Sequence, residues 1–139
     1  MTVTTPAMRV GDLMTADPIT IGPDASASEA EALLKTYRVS GLPVVERKQL
    51  IGVISQSDLM VARSSEMIGA AWDRMRVRHL MTTPAVTVHA GATVAMAARQ
   101  LLLRHIHRLV VTDDAGNPVG VVTPLDLLRS FLDDPDAAA

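Results

Sequence analysis

Two stretches of this chain carry the same polar groups at the same spacing. Gly52 to Asp58 reads GVISQSD, and Gly120 to Asp126 reads GVVTPLD. In each, a hydroxyl residue (Ser55, Thr123) is followed three positions on by an aspartate (Asp58, Asp126). At the start of a helix this pattern supports two chemistries. The hydroxyl can accept a bond from a backbone N–H and the acid can return one, a capping box with Asp in place of the usual Glu or Gln. The same N-terminus offers unpaired N–H groups and positive partial charge to a phosphate, and an aspartate one turn in can accept two bonds from the vicinal diol of a ribose. The two roles are compatible, since one hydroxyl can cap when the site is empty and meet a ligand when it is filled. Gly52 and Gly120 permit a bulge or the close approach of another strand, and Pro124 suits the first helical position.

The second copy has further anion chemistry nearby. His107 and Arg108 lead into the run LVV, where Arg108 can pair bidentately with a phosphate and His107 can add a donor. The first copy has Ser40 and Gly41 at the matching positions, so two sites of unequal affinity are expected. The other titratable groups carry weaker cases. His105 and His107 form an H-x-H with no Cys or clustered acid near them in sequence to complete a metal site. His79 and His89 read as surface or loop residues. Asp133, Asp134 and Asp136 read as a solvated tail without the pattern of a calcium loop. Arg74, Arg76, Arg78 and His79 read as a solvated linker face. No G-x-x-x-x-G-K loop and no G-x-S-x-G context is present, and nothing supplies a nucleophile with an oriented base, so an enzyme is not expected.

The elements that position these groups come in two sets. Val10–Met14 (VGDLM) returns as Val77–Met81 (VRHLM), Thr20 and Ile21 as Thr87 and Val88, and Leu42–Glu46 as Leu109–Asp113, all 67 residues apart. The glycines of the closing phrase are 68 apart, one residue having entered the turn between. Each copy reads as a short strand (PITI, AVTV), a helix, two strands and a second helix. Ser26 with Glu29, and Thr93, cap the first helices. Their apolar stripes are Ala30, Leu33, Leu34 and Tyr37 in one copy, and Val94, Ala97, Ala98, Leu101 and Leu102 in the other. RKQ and DAGN supply the turns between the paired strands. Met67, Ile68, Ala71, Trp72 and Met75 predict an amphipathic linker helix that packs within the molecule, the alternative being a helix that binds a partner. The spacing is long for a many-copy solenoid and predicts two small α/β units facing each other.

Composition bounds the partners. The 139 residues are 48% hydrophobic but only 2% aromatic, with a net charge of −2 and no cysteine. A core of Val, Leu, Ile, Met and Ala is implied. Nucleic acid and anionic membrane lose their electrostatic attraction, and base stacking loses its platforms. Disulfides and thiolate metal sites are excluded. No apolar run approaches a membrane span, and the N-terminal residues do not read as a signal peptide, so a cytoplasmic protein is expected.

A tandem β-α-β-β-α unit, each copy opening h-x-D/H-L-M and closing G-h-h-S/T-x-x-D, resembles a pair of cystathionine β-synthase (CBS) domains, a Bateman module, over about residues 8–132. The resemblance implies an α/β (α+β) fold of two repeats packed with pseudo-two-fold symmetry: repeat 1 over 8–64, a helical linker over 65–76, repeat 2 over 77–132 and a flexible tail over 133–139. It implies a regulatory module that binds an adenosine-containing ligand (AMP, ADP, ATP, S-adenosylmethionine or a dinucleotide) in clefts between the repeats, with no required cofactor, and that signals to a regulated protein. Asp126 and Asp58 would hold ribose hydroxyls, Thr123 and Ser55 would lie near ribose or phosphate, and His107 with Arg108 would contact phosphate. Ser40, Gly41, Thr20 and Thr87 are secondary candidates. A homodimer formed through the helices is also implied. The alternative is a ligand-free dimerisation module in which the two phrases are caps alone.

Overall fold

The computed structural model describes residues 8–65 and 71–133. In chain order the elements are α1 (Val10–Leu13), β1 (Thr15–Ala16), α2 (Ala27–Tyr37), β2 (Gly41–Glu46), β3 (Gln49–Ser55), α3 (Gln56–Ser64), a 3-10 turn (Trp72–Arg74), α4 (Val77–Leu80), β4 (Thr87–His89), α5 (Val94–Arg104), β5 (Leu109–Thr112), β6 (Pro118–Val122) and α6 (Pro124–Asp133). They fall into two packing units. One is continuous, Pro18–Val86; the other is discontinuous and joins the residues up to Asp17 to those from Thr87 onward.

Sequence repeat and packing unit are therefore different divisions of the chain, because each opening segment packs with the copy it does not precede. In the discontinuous unit, Val10 N–H donates to the carbonyl of Ala92 (2.9 Å) and Gly11 N–H to that of Ala90 (2.8 Å). β1 then pairs antiparallel with β6, completing a four-stranded sheet of order β1-β6-β5-β4 in which β4 and β5 are parallel. In the continuous unit, Val77 N–H donates to Ala25 (2.9 Å) and Arg78 N–H to Pro23 (2.8 Å). Thr82 bridges Val53 beside β3, and Ile21 bridges Val44 beside β2, so the β2–β3 hairpin is flanked as its counterpart is. The openers can move this way because they are short and carry their own apolar anchors: Val10, Leu13 and Val77 are buried.

The helices follow their caps. Ser26 Oγ accepts from Glu29 N–H (3.0 Å) and Thr93 Oγ1 from Met96 N–H (3.1 Å). Both helices end on a left-handed residue, Arg38 (φ 54°) and His105 (φ 52°). Ala30, Leu34, Ala97 and Leu101 are buried as their spacing predicts. Tyr37 and Leu102 are not: Tyr37 sits in the last turn, and Leu102 lies about 100° around the helix from buried Leu101. PITI is a bridge at Ile21 rather than a strand, since Pro18 cannot donate to a ladder and Gly22–Pro23 ends the run. The hairpins share a register shift at Val44/Val45 and at Val111/Thr112.

The expected linker helix lies partly outside the described residues, including Met67 and Ile68. Its described end is a 3-10 turn stitched into the continuous unit, where Trp72 is buried in the core with Leu42, Val44 and Ile54, and the Arg63 guanidinium lies 4.7 Å from the Trp72 ring centroid. Of the acidic tail, Asp134 and Asp136 lie outside the described residues.

Candidate functional site

Both closing phrases place the end of a strand against the start of a helix. At the end of β3, Ser55 N–H and Oγ–H donate to Asp58 Oδ2 (2.8 and 2.9 Å), and Ser55 Oγ accepts from Asp58 N–H (3.2 Å). Beyond β6, Thr123 N–H and Oγ1–H donate to Asp126 Oδ2 (2.8 and 3.0 Å), and Thr123 Oγ1 accepts from Asp126 N–H (3.3 Å). Asp is thus long enough to close the box normally made by Glu, because the hydroxyl and the amide of one residue meet a single carboxylate oxygen.

The capping leaves Oδ1 of each aspartate outside the box, and the two copies use it differently. Asp58 Oδ1 accepts from the Thr82 hydroxyl (3.2 Å). Asp126 Oδ1 faces the Arg129 guanidinium at 3.3 Å. Asp126 is buried and Asp58 half-buried. Thr82 and Arg129 were not among the residues singled out from sequence. Thr82 lies far from the phrase and reaches it through the displaced opener. Arg129 was legible as an i,i+3 partner of Asp126 on a helix.

The glycine of the phrase is explained by the same opener. A Cβ on Gly52 would stand 2.7 Å from the Thr82 carbonyl oxygen, and one on Gly120 2.9 Å from that of Thr15. Only a hydrogen fits where the added strand crosses.

The remaining candidates distribute around these strand ends. Continuing the Leu109–Val122 register by one step places Arg108 across from Thr123, while Gly41 pairs with Ser55 in the other hairpin. Arg108 is half-buried and His107 exposed. The Ser40 carbonyl accepts from Gln56 N–H (2.9 Å). Thr20 and Thr87 are exposed, the first beside the Ile21 bridge and the second on β4 opposite Val110.

His79 is a surface residue on a short helix, and its Nδ1 accepts from Arg76 N–H (3.1 Å), as Asp12 Oδ2 accepts from Arg9 N–H (2.8 Å) in the other opener. Arg78 is exposed, and it also pairs with Glu46 (3.0 Å) and Asp24 (3.2 Å) of the continuous unit; these bonds, that to Glu46 foremost, raise its pKa further. His89 is on the surface, with Nε2 at 2.6 Å from Asp114 and Nδ1 accepting from Gly91 N–H. His105 is a helix-ending residue, and no cluster of three metal-ligating side chains exists among the described residues. Among them, too, no helix is long and apolar enough to cross a membrane.

The family model for the CBS domain matches residues 10–65 and 77–133. The chain belongs to the CBS domain family. Among structures, this CBS pair is similar to CBSX2 in complex with AMP (32% identity, TM-score 0.79, covering 91% of this chain and 97% of that one), a protein also solved from Arabidopsis thaliana. It is similar as well to the CBS domain pair of protein MJ0100 in complex with 5′-methylthioadenosine and S-adenosyl-L-methionine (28% identity, TM-score 0.78, covering 91% and 97%). Among sequences, it is 30% identical to the uncharacterized protein MJ1232 of Methanocaldococcus jannaschii and 30% identical to an inosine-5′-monophosphate dehydrogenase of Korarchaeum cryptofilum. It covers 40% and 22% of those proteins, and they cover 89% and 80% of it. The CBS pair thus spans well under half the length of these two relatives.

Proposed function

We propose that this CBS pair is a non-catalytic sensor that binds an adenosine-containing nucleotide of the AMP, ADP or ATP class, or S-adenosylmethionine, and passes the bound state to a partner protein. The observation that carries the proposal is the pair of aspartates, Asp58 and Asp126, each held by one oxygen in a capping box with the other oxygen outside it. A rigid carboxylate at a helix N-terminus suits a ribose diol with its phosphate close by. Thr123, His107 and Arg108 would serve phosphate and ribose beside Asp126. Ser55 would do so beside Asp58, with Ser40, Gly41, Thr20 and Thr87 as flanking positions. The AMP complex of CBSX2 and the S-adenosyl-L-methionine complex of MJ0100 support this ligand class. A cytoplasmic setting, where nucleotide levels report metabolic state, fits a chain without cysteine.

A homodimer accompanies the proposal. Leu125, Leu128, Phe131 and Leu132 on α6 are all more than half exposed, an apolar strip on a helix of ten residues. Leu128→Asp should convert a dimer to a monomer in sedimentation, and an unchanged mass would remove α6 from the interface.

The second reading, a ligand-free dimerisation module, is favoured by both closing phrases forming complete capping boxes from their own residues. A thermal-shift panel separates the two: AMP, ADP, ATP, NAD, NADH and S-adenosylmethionine on the wild type and on Asp126→Ala. A nucleotide at 100 times its Kd adds about 2.7 kcal/mol. The sensor reading expects such a shift from one nucleotide and its reduction in the variant. A flat panel on folded, nucleotide-free protein selects the ligand-free module.

A further inference from the structure

We infer that Arg129 sets the affinity of the Asp126 site by holding the carboxylate oxygen that a ribose must take. This rests on the reading of Asp126 as a ribose acceptor. Oδ2 of Asp126 already takes two bonds from Thr123, at 2.8 and 3.0 Å. A vicinal diol therefore needs both acceptor positions of Oδ1, and the Arg129 guanidinium lies against that oxygen as an ion pair at 3.3 Å. The arginine side chain is 58% exposed while that of Asp126 is 7% exposed. The guanidinium can swing into water, whereas the carboxylate stays in its cap. The latch is thus the mobile partner and the acceptor the fixed one.

The other copy has no such latch. Val61 stands where Arg129 stands, 68 residues earlier, with no charge to offer. Oδ1 of Asp58 is met instead by the neutral hydroxyl of Thr82 at 3.2 Å. An ion pair with a guanidinium adds a charge attraction that a neutral hydroxyl lacks, so the diol displaces a harder competitor at Asp126 than at Asp58. Arg129 tunes the site without being part of the anion chemistry of His107 and Arg108.

The test is calorimetric titration with AMP in an Asp58→Ala background, which leaves the Asp126 site as the one measured. Arg129→Gln, which keeps length and removes charge, should bind AMP roughly three- to fivefold more tightly than the background, the range expected for loss of an exposed ion pair. Val61→Arg in an Asp126→Ala background should weaken AMP by a similar factor. If either background unfolds, Arg129→Gln in the otherwise unaltered chain must tighten one of the two AMP binding steps. Unchanged affinity in Arg129→Gln overturns the latch, and weaker affinity overturns it in favour of a direct contact between Arg129 and the nucleotide. AMP binding lost in folded Asp58→Ala but kept in the wild type also overturns it, while the sensor reading stands. Absence of AMP, ATP and S-adenosylmethionine binding in the wild type removes the sensor reading and the latch together.

Discussion

At Ser55–Asp58 a half-buried carboxylate caps its helix and meets a neutral hydroxyl. At Thr123–Asp126 a buried one makes the same cap and meets a guanidinium. The cap geometry agrees to within about a tenth of an ångström at each bond. The difference lies in what approaches from outside the phrase. The local motif, then, encodes the cap, and its neighbours decide what the spare oxygen can do. The same holds where each hairpin begins: Gly41 pairs with Ser55, and the matching position of the second copy is the half-buried Arg108.

The largest effect should come from filling the space beside the added strand. Gly52→Ala puts a methyl 2.7 Å from the Thr82 backbone oxygen and 3.0 Å from Thr83 Cγ2. Overpacking of this kind costs about 2–3 kcal/mol. Gly120→Ala meets the Thr15 oxygen at 2.9 Å and otherwise the flexible Met14 side chain, so about 1–2 kcal/mol is expected. Urea denaturation of both variants measures the pair. A smaller loss at Gly52 than at Gly120 would mean that the Thr82 backbone yields more readily than that of Thr15.

Removing the carboxylates tests whether the caps are equivalent. Asp58→Ala and Asp126→Ala should each cost about 1 kcal/mol, the usual worth of an N-cap partner. Similar losses with different effects on nucleotide affinity would separate the shared structural role from the unequal ligand role. A stability loss at Asp126 alone would make one phrase a cap and the other not.

How far these contrasts could be read from the sequence follows from the range of each interaction. The capping boxes, the helix starts at Gln56 and Pro124 and the two hairpins rest on residues within a few positions of each other, and spacing revealed them. The crossing of the openers did not show, because VGDLM and VRHLM are interchangeable in pattern and their partners lie far along the chain, Gly120 for Met14 among them. Thr82 was hidden for that reason, and so was the identity of the strand that Gly52 was read as letting approach. The Arg78 ion pairs joined residues 54 and 32 positions apart, which a linear reading took for a solvated run.

A smaller effect is expected at the turns, where the hairpins differ again. The β2–β3 turn runs through Arg47 (φ 51°) and Lys48 (φ 67°), both left-handed. Side chains pay strain in that region that glycine avoids. Lys48→Gly should therefore stabilise the protein by about 0.5 kcal/mol, the strain relief being partly offset by the entropy glycine loses. A loss of stability would show that the lysine side chain does more at the turn than tolerate its backbone.

The β5–β6 turn instead puts its left-handed position on Gly116 and is built around Asp113. Asp113 Oδ1 accepts from Asn117 N–H (2.9 Å) and Ala115 N–H (3.0 Å). The Asn117 bond, foremost among these, holds the carboxyl below its ordinary value of 3.8. A depressed folded pKa means that the charged form is the one folding favours. Its contribution is present above the unfolded value and is lost as pH falls through the folded one. Asp113→Asn keeps an acceptor but has no charge to lose. The wild type should therefore be the more stable of the two near neutrality, and the urea midpoints should converge as pH falls below about 4. The difference should be small, because Asp113 is only half-buried in a surface turn. A gap between wild type and variant that stayed constant down to pH 2 would mean that the turn depends on the shape of Asp113 and not on its charge.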